Sequence, residues 1–338
     1  MTIAFGPVPS RRLGRSMGIN NIPPKVCSYS CAYCQVGRTI KLQVERRAFY
    51  DPEEIFKDVK EKVERSGQVG EPIEYLTFVP DGEPTLDIHL GREMELLKAL
   101  GIKVAVITNA SLLWREDVRE ELLTADWISL KVDSTREEIW RKLNRPYRTL
   151  QLTSILDGML EFAKVYRGTL VTEMMLVKDV NDSPDQLKDV ADFLAQLKPT
   201  KAYLAIPIRP PAEAWVRLPD EKAINQAYQI FHERIDGVEW LIADEGTAFA
   251  PTGNAADDLL GITAVHPMRK QAVAEFLARA KQDWSLINKL IAQELLREVE
   301  YEGKTFYMRR IHKPVSPRMT EEVLGEPPTA VRNHDIEV

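Results

Sequence analysis

Cysteine is scarce in this sequence: Cys27, Cys31 and Cys34 are the only three among 338 residues. An odd number confined to eight positions excludes a disulfide framework, which needs pairs spread along the chain, and reads instead as ligand spacing in a reducing compartment. Histidine is little more abundant, and His89, His232, His266, His312 and His334 all lie far from the cysteines in sequence. A zinc site would therefore lack the nearby fourth ligand that it usually takes. Long apolar runs are also missing. No eighteen consecutive apolar residues occur, and Met1 to Pro9 carry no basic stretch leading into an apolar run, so the expectation is no membrane, no export and a cytoplasmic protein.

What is present fits an ordinary globular protein: 44% hydrophobic and 28% charged residues, enough chain for one large domain with room for a small addition. The net charge of −6 is unevenly spread. Residues 1–47 hold Arg11, Arg12, Arg15, Lys25, Arg38, Lys41, Arg46 and Arg47 against Glu45 alone, so they sum to +7 and the remainder to −13. Two readings stay open for this basic group around the cysteines. One is a solvated surface that also compensates thiolate charge; the other is recognition of a phosphate-bearing or nucleic-acid partner.

Short β-branched runs alternate with amphipathic stretches up to about residue 245. Strands are predicted at 16–22, 74–79, 103–108, 127–133, 169–176 and 201–206, with helices clearest at 52–65, 153–166, 184–197 and 220–235. Six strand–helix repeats predict a parallel sheet with right-handed crossovers, either an open partial barrel or a doubly wound sheet, with ligands at the C-terminal strand ends. The organisation expected is a barrel over 1–245, a Gly/Pro-containing linker over 246–258, a module over 259–312 and an extended or disordered tail over 313–338. In the module, Pro267 is expected to open one helix, Ser285 to cap a second, and Glu302-Gly303-Lys304 to turn a hairpin, the order of a winged helix.

The cysteines read Cys27-Ser-Tyr-Ser-Cys31-Ala-Tyr-Cys34, C-x3-C-x2-C in the loop after the first strand. Three thiolates can fill three corners of a cubane and leave the fourth iron open to a small ligand. This motif, its place and the six repeats resemble the radical S-adenosylmethionine (SAM) superfamily, and the resemblance selects the α/β partial (β/α)6 barrel with a small winged-helix-like module. The segment Gly6 to Asn20 and Gln35 to Thr39 also resemble the branch containing the tRNA wybutosine-synthesis enzymes, over about residues 1–245. Those enzymes carry further cysteines for a second cluster, which this sequence lacks, so their activity is not transferred.

The resemblance implies roles. Cys27, Cys31 and Cys34 would hold a [4Fe–4S] cluster, and Tyr33 would pack near the adenine of SAM. Asp81-Gly82-Glu83-Pro84 stands where the superfamily has Gly-Gly-Glu-Pro: Gly82 permits close backbone approach and Glu83 would receive the ammonium of the methionine moiety. Asp81 replaces the first glycine. Thr108-Asn109-Ala110 matches a Thr-Asn-Gly element that would place Asn109 near the ribose or carboxylate. Ser129, Lys131 and Asp133 alternate along one strand and so share a face, where buried charges call for a purpose. Glu173, Met175, Ile206, Pro207 and Arg209 are placed to line the cavity, and Ile206 is assigned to cofactor binding. The expected function is reductive cleavage of SAM to a 5′-deoxyadenosyl radical that takes hydrogen from a substrate left open between RNA, tRNA included, and a peptide, with electrons from a flavodoxin or ferredoxin. The alternatives are an iron–sulfur regulator that binds DNA through the winged helix, and a zinc-stabilised binding protein.

Overall fold

A computed structural model describes residues 3–68, 70–241 and 249–310. The expected tail, and residues 246–248 of the expected linker, lie outside the described residues.

Eight strands form one sheet. They are β1 (Ala4–Ser10), β2 (Gly14–Ile19), β5 (Tyr75–Phe78), β6 (Lys103–Thr108), β7 (Trp127–Lys131), β8 (Thr169–Met175), β9 (Lys201–Ala205) and β10 (Val238–Leu241), hydrogen-bonded in that order. Two short strands, β3 (Val26–Cys27) and β4 (Lys41–Leu42), pair in parallel outside it. The helices of this part are α1 (Pro52–Gln68), α2 (Leu90–Lys98), α3 (Glu116–Leu122), α4 (Glu137–Asn144), α5 (Leu152–Val165), α6 (Pro184–Leu197) and α7 (Glu221–His232). The sheet curls into the half-barrel expected for the fold. Strand alternation divides its two faces. Leu76, Phe78, Val104, Val106, Ile128 and Leu130 join the core that includes helix residues such as Ile55, Met94 and Ile155, while Ala105, Trp127, Val171 and Tyr203 form a separate cluster with Leu13.

All six expected strands are present, and two more join them. β10 adds a seventh parallel strand beside β9; with only four residues, one an exposed glutamate, it offers little periodicity to read. β1 pairs antiparallel with β2. Its Pro7 and Pro9 argue against a strand, but it sits at the sheet edge with a register shift between Phe5 and Val8, where missing N–H donors are tolerated.

The C-terminal elements run α8 (Ala255–Val265), β11 (Met268–Arg269), α9 (Lys270–Arg279), α10 (Trp284–Ala292), β12 (Leu296–Tyr301) and β13 (Lys304–Arg309). The strands form a three-stranded sheet in the order β11-β13-β12. The last four residues of the segment expected as linker, 255–258, are instead the start of α8, capped by Asn254, whose side chain accepts from Ala256 N and Asp257 N. Helix α9 starts at Lys270 and not at Pro267, because Met268 and Arg269 pair with β13. Asp283, not Ser285, caps α10, accepting from Ser285 N at 2.8 Å. Positive φ at Glu302 and Gly303 makes the two-residue hairpin turn. The module packs on the barrel edge: Phe5, Val8 and Val79 share one apolar cluster with Leu259, Ile262, Phe276 and Tyr307.

Candidate active site

The cysteine loop begins at β3 and is tied down on both sides. Lys25 N donates to Asp81 O at 2.6 Å, Glu83 N to Val26 O at 3.2 Å, and Gln43 N to Cys27 O at 3.0 Å. Farther along, Ala32 N donates to Leu143 O at 2.7 Å. These bonds hold Cys27, Cys31 and Cys34 on the wall of one cavity of about 370 Å³, a size suited to a small molecule. Nitrogen donors approach all three sulfurs: Asn109 Nδ2 and Tyr29 N lie 3.6 and 3.5 Å from Cys27 Sγ, Asn144 Nδ2 lies 3.6 Å from Cys31 Sγ, and the backbone N–H groups of Val36 and Gly37 act on Cys34. Burial pushes all three thiols up, Cys31 to about 12. Among the described residues no three His, Cys, Asp or Glu side chains converge on a single metal-ion position. Separate thiols on one wall, with N–H donors nearby and soft sulfur chemistry, fit a multi-iron cluster in which each cysteine takes its own iron.

The radical SAM superfamily profile matches residues 21–194, from just before β3 to within α6. The chain belongs to the radical SAM superfamily. A UPF0026 protein of Methanocaldococcus jannaschii is 49% identical over 92% of this chain and 97% of its own length. Among solved structures, a radical SAM methyltransferase from Sphaerobacter thermophilus aligns with a TM-score of 0.53 at 16% identity, over 68% of this chain and 67% of that one. A structure of TYW1 with a lysine–pyruvate adduct aligns with a TM-score of 0.49 at 16% identity, over 65% and 74%. Membership of the radical SAM superfamily implies SAM and a [4Fe–4S] cluster as cofactors.

Within this radical SAM barrel, Tyr33, Gly82, Glu83, Asn109, Lys131 and Ile206 all line the cavity that the cysteines share. Glu83 is only 1% exposed. Its Oε1 accepts from Thr85 N (3.1 Å), Thr85 Oγ1 (2.6 Å) and Thr108 Oγ1 (2.5 Å), and its Oε2 from Asn109 N (2.7 Å). The close approach at Gly82 is to protein: a Cβ there would stand 1.9 Å from Val26 O. Ala110, where the family has glycine, adopts φ of 62°. Asn109 Nδ2 also donates to Ser28 Oγ at 2.9 Å, joining β6 to the cysteine loop.

Ser129 and Asp133 are buried away from the cavity lining. Asp133 is a structural post. Its Oδ1 accepts from Met175 N at 2.7 Å and its Oδ2 from Asn144 Nδ2 at 2.7 Å and from the Tyr33 hydroxyl. Lys131 bonds Glu173 Oε1 at 2.6 Å and lies 3.9 Å from Asp133. Burial acts to raise the Glu173 carboxyl, but Lys131 and Arg12 outweigh it and hold the group down at about 2.

Sequence reasoning assigned no individual role to Arg12, Lys25 or Gln35, and the first two appeared only within the basic group. The structure pairs most of that group internally: Arg12 with Glu173, Arg15 with Glu71, Lys25 with Asp81, Arg38 with Glu213, and Arg46 with Asp117 and Glu121. Charge compensation within the chain therefore accounts for these five cations. Gln35 Nε2 donates to Val265 O at 2.8 Å, and Arg209 reaches both Gln35 Oε1 (2.8 Å) and His266 Nε2 (3.2 Å), so the module meets the cysteine loop on the cavity wall.

Proposed function

We propose that this chain cleaves SAM reductively and uses the product to take hydrogen from a substrate held in the cavity between the barrel and the C-terminal module. The observation that carries this reading is the single cavity whose wall includes Cys27, Cys31 and Cys34 at one place and Lys131, Glu173 and Arg209 at others. Cys27, Cys31 and Cys34 would hold the [4Fe–4S] cluster through three of its irons. When bound, cluster and SAM together supply one-electron cleavage to a 5′-deoxyadenosyl radical. The protein's part is position and dryness. Tyr33 and Ile206 offer apolar surface to the adenosyl group, and Asn109 a polar contact. Val265, His266 and Pro207 line the same cavity, and Tyr301 Oη donates to Pro207 O at 2.7 Å, so the module packs against it, which supports exclusion of water from a reactive intermediate.

The electron donor we propose is a flavodoxin or ferredoxin, and the substrate class remains RNA or a peptide presented by the module. The order α8-β11-α9-α10-β12-β13 with a terminal hairpin supports reading the module as winged-helix-like. The DNA-binding regulator gains no support. Residues 259–310 carry nine Lys/Arg against six Asp/Glu, a weak excess for a phosphate backbone.

Anaerobic reconstitution tests the proposal. The protein should turn brown, hold about four irons per chain as the cluster requires, and release 5′-deoxyadenosine from SAM with dithionite. Alanine at Cys27, Cys31 or Cys34 should abolish both. A folded, colourless protein loaded with zinc would sink the reading.

A further inference from the structure

The outer side of the cysteine loop carries charge and apolar surface that the cavity does not use. Strand β4 pairs in parallel with β3, Lys41 beside Val26 and Leu42 beside Cys27, and Gln43 N donates to Cys27 O at 3.0 Å. The strand that bears Cys27 is thus flanked by one that is open to solvent: Leu42 is 37% exposed and Ile40, just before it, 43%. The loop after α4 borders the same face. Tyr147 N donates to Ser28 O at 2.9 Å, Ser30 N to Asn144 O at 3.0 Å and Thr39 Oγ1 to Tyr29 O at 2.7 Å. Segments 38–42 and 141–148 hold six Lys/Arg and no Asp/Glu, the nearest exposed acids along the chain being Glu45 and Glu138. Arg38 and Arg145 share Glu213, and Arg141 pairs with Glu137. Lys41, Lys142 and Arg148 are exposed and have no ion-pair partner among the described residues. Lys142 Nζ stands over the exposed ring of Trp215, 5.8 Å from its centroid.

Ile40, Lys41, Leu42, Lys142, Arg148 and Trp215 are all absent from the cavity wall. A substrate has to bring its reacting group into the cavity, whereas an electron donor needs only to approach the cluster from outside. Exposed apolar residues rimmed by cations suit a small, transient protein contact, and electron-transfer encounters fall at that end of the size range. Positive charge left without a partner selects an acidic protein and speeds its arrival. We propose that this face, with Ile40 and Leu42 at its centre and Lys41, Lys142 and Arg148 at its rim, docks an acidic flavodoxin that reduces the cluster. Of the two carriers named above, a flavodoxin is the one that presents an apolar flavin edge, and exposed Ile40 and Leu42 match that edge. One electron leaves the partner's reduced flavin, which keeps its protons, and is gained by the oxidised cluster; no bond forms or breaks. This rests on the SAM-cleaving reading above and names the surface through which its electron enters.

The test pairs binding with electron transfer on the reconstituted full chain, with flavodoxin as the probe. Calorimetric titration gives Kd, and bleaching of the cluster absorbance by reduced flavodoxin gives a second-order rate. Lys41→Glu, Lys142→Glu and Arg148→Glu combined should weaken binding and slow bleaching roughly tenfold or more at low salt, within the range of electrostatic steering. Iron content and bleaching by excess dithionite should match wild type. The neutral set Lys41→Gln, Lys142→Gln and Arg148→Gln, which adds no repulsion to the fold, should remove most of the salt dependence that wild type shows. Equal flavodoxin affinity and rate in wild type and both variants would overturn the surface, as would a loss seen only with ferredoxin or only with bulk tRNA. Failure of the underlying reading is separate: wild type that holds its irons and bleaches with dithionite but releases no 5′-deoxyadenosine overturns SAM cleavage, and this route of electron entry with it.

Discussion

A methyl group added at Gly82 would stand 1.9 Å from Val26 O and 2.7 Å from Ile22 Cδ1, and Val26 immediately precedes the first cysteine. Backbone cannot yield there as the tip of a flexible side chain could. Gly82→Ala should therefore displace β3 and Cys27, costing about 1–3 kcal/mol as overpacking does and lowering iron bound per chain. Iron analysis and denaturant unfolding of the reconstituted variant check this; unchanged iron content would mean that the loop tolerates the shift. The same residues show how far single positions were legible. Asp-Gly-Glu-Pro at a strand end drew attention to this turn, and Glu83 lines the cavity. Its four donors come from Thr85, Thr108 and Asn109, two of which are distant in sequence, so its saturation could not be read from the motif.

Strands set the next level of organisation, because parallel pairing brings charges from distant sequence into register. Lys131 of β7 and Glu173 of β8 are direct partners across the sheet, and Arg12, from the turn between β1 and β2, reaches Glu173 from the other side. Glu173 has a folded-state pKa of about 2, below the ordinary carboxylate value. A depressed acid contributes stability that is fully present above its unfolded pKa of about 4.3 and is lost as pH falls toward 2. Lys131→Met should lower stability at neutral pH and flatten the loss between about pH 4.3 and 2. A pH series of chemical denaturation curves checks this, and an unaltered acid limb would refute the pair's role. The alternation of Ser129, Lys131 and Asp133 correctly announced buried polarity. It did not separate Lys131, which reaches the cavity, from Asp133, which lies past the end of β7 and ties Tyr33, Asn144 and Met175 together.

Over the whole molecule, the module is part of the barrel's own packing. Phe5 lies over Gly18, whose added Cβ would meet the ring at 2.0 Å, and against Gly261 of α8, whose added Cβ would lie 3.0 Å from Phe5 Cβ. Cutting the chain after Leu241 would uncover Phe5, Val8 and Val79 as one apolar patch. The truncated protein should precipitate or sediment as aggregate, whereas the full chain stays monodisperse; a soluble, cluster-loaded fragment would show that the contact is dispensable. Helix α8 escaped sequence reasoning for the same reason. Asp258, Leu259, Gly261, Ile262, Thr263, Ala264 and Val265 are all buried, and a helix enclosed on every side has no amphipathic stripe to detect.

The sequence alone determined the spacing of the three cysteines, the six expected parallel strands and the superfamily. These depend on spacing along the chain and on local periodicity, both of which are written residue by residue. Tertiary structure decided what each polar group has left to offer. It joined Lys25 to Asp81, Arg12 to Glu173 and Gln35 to the end of α8, and saturated Glu83 with four donors. Hydrogen-bond capacity is spent between partners far apart in sequence, so only the folded chain shows where any of it remains.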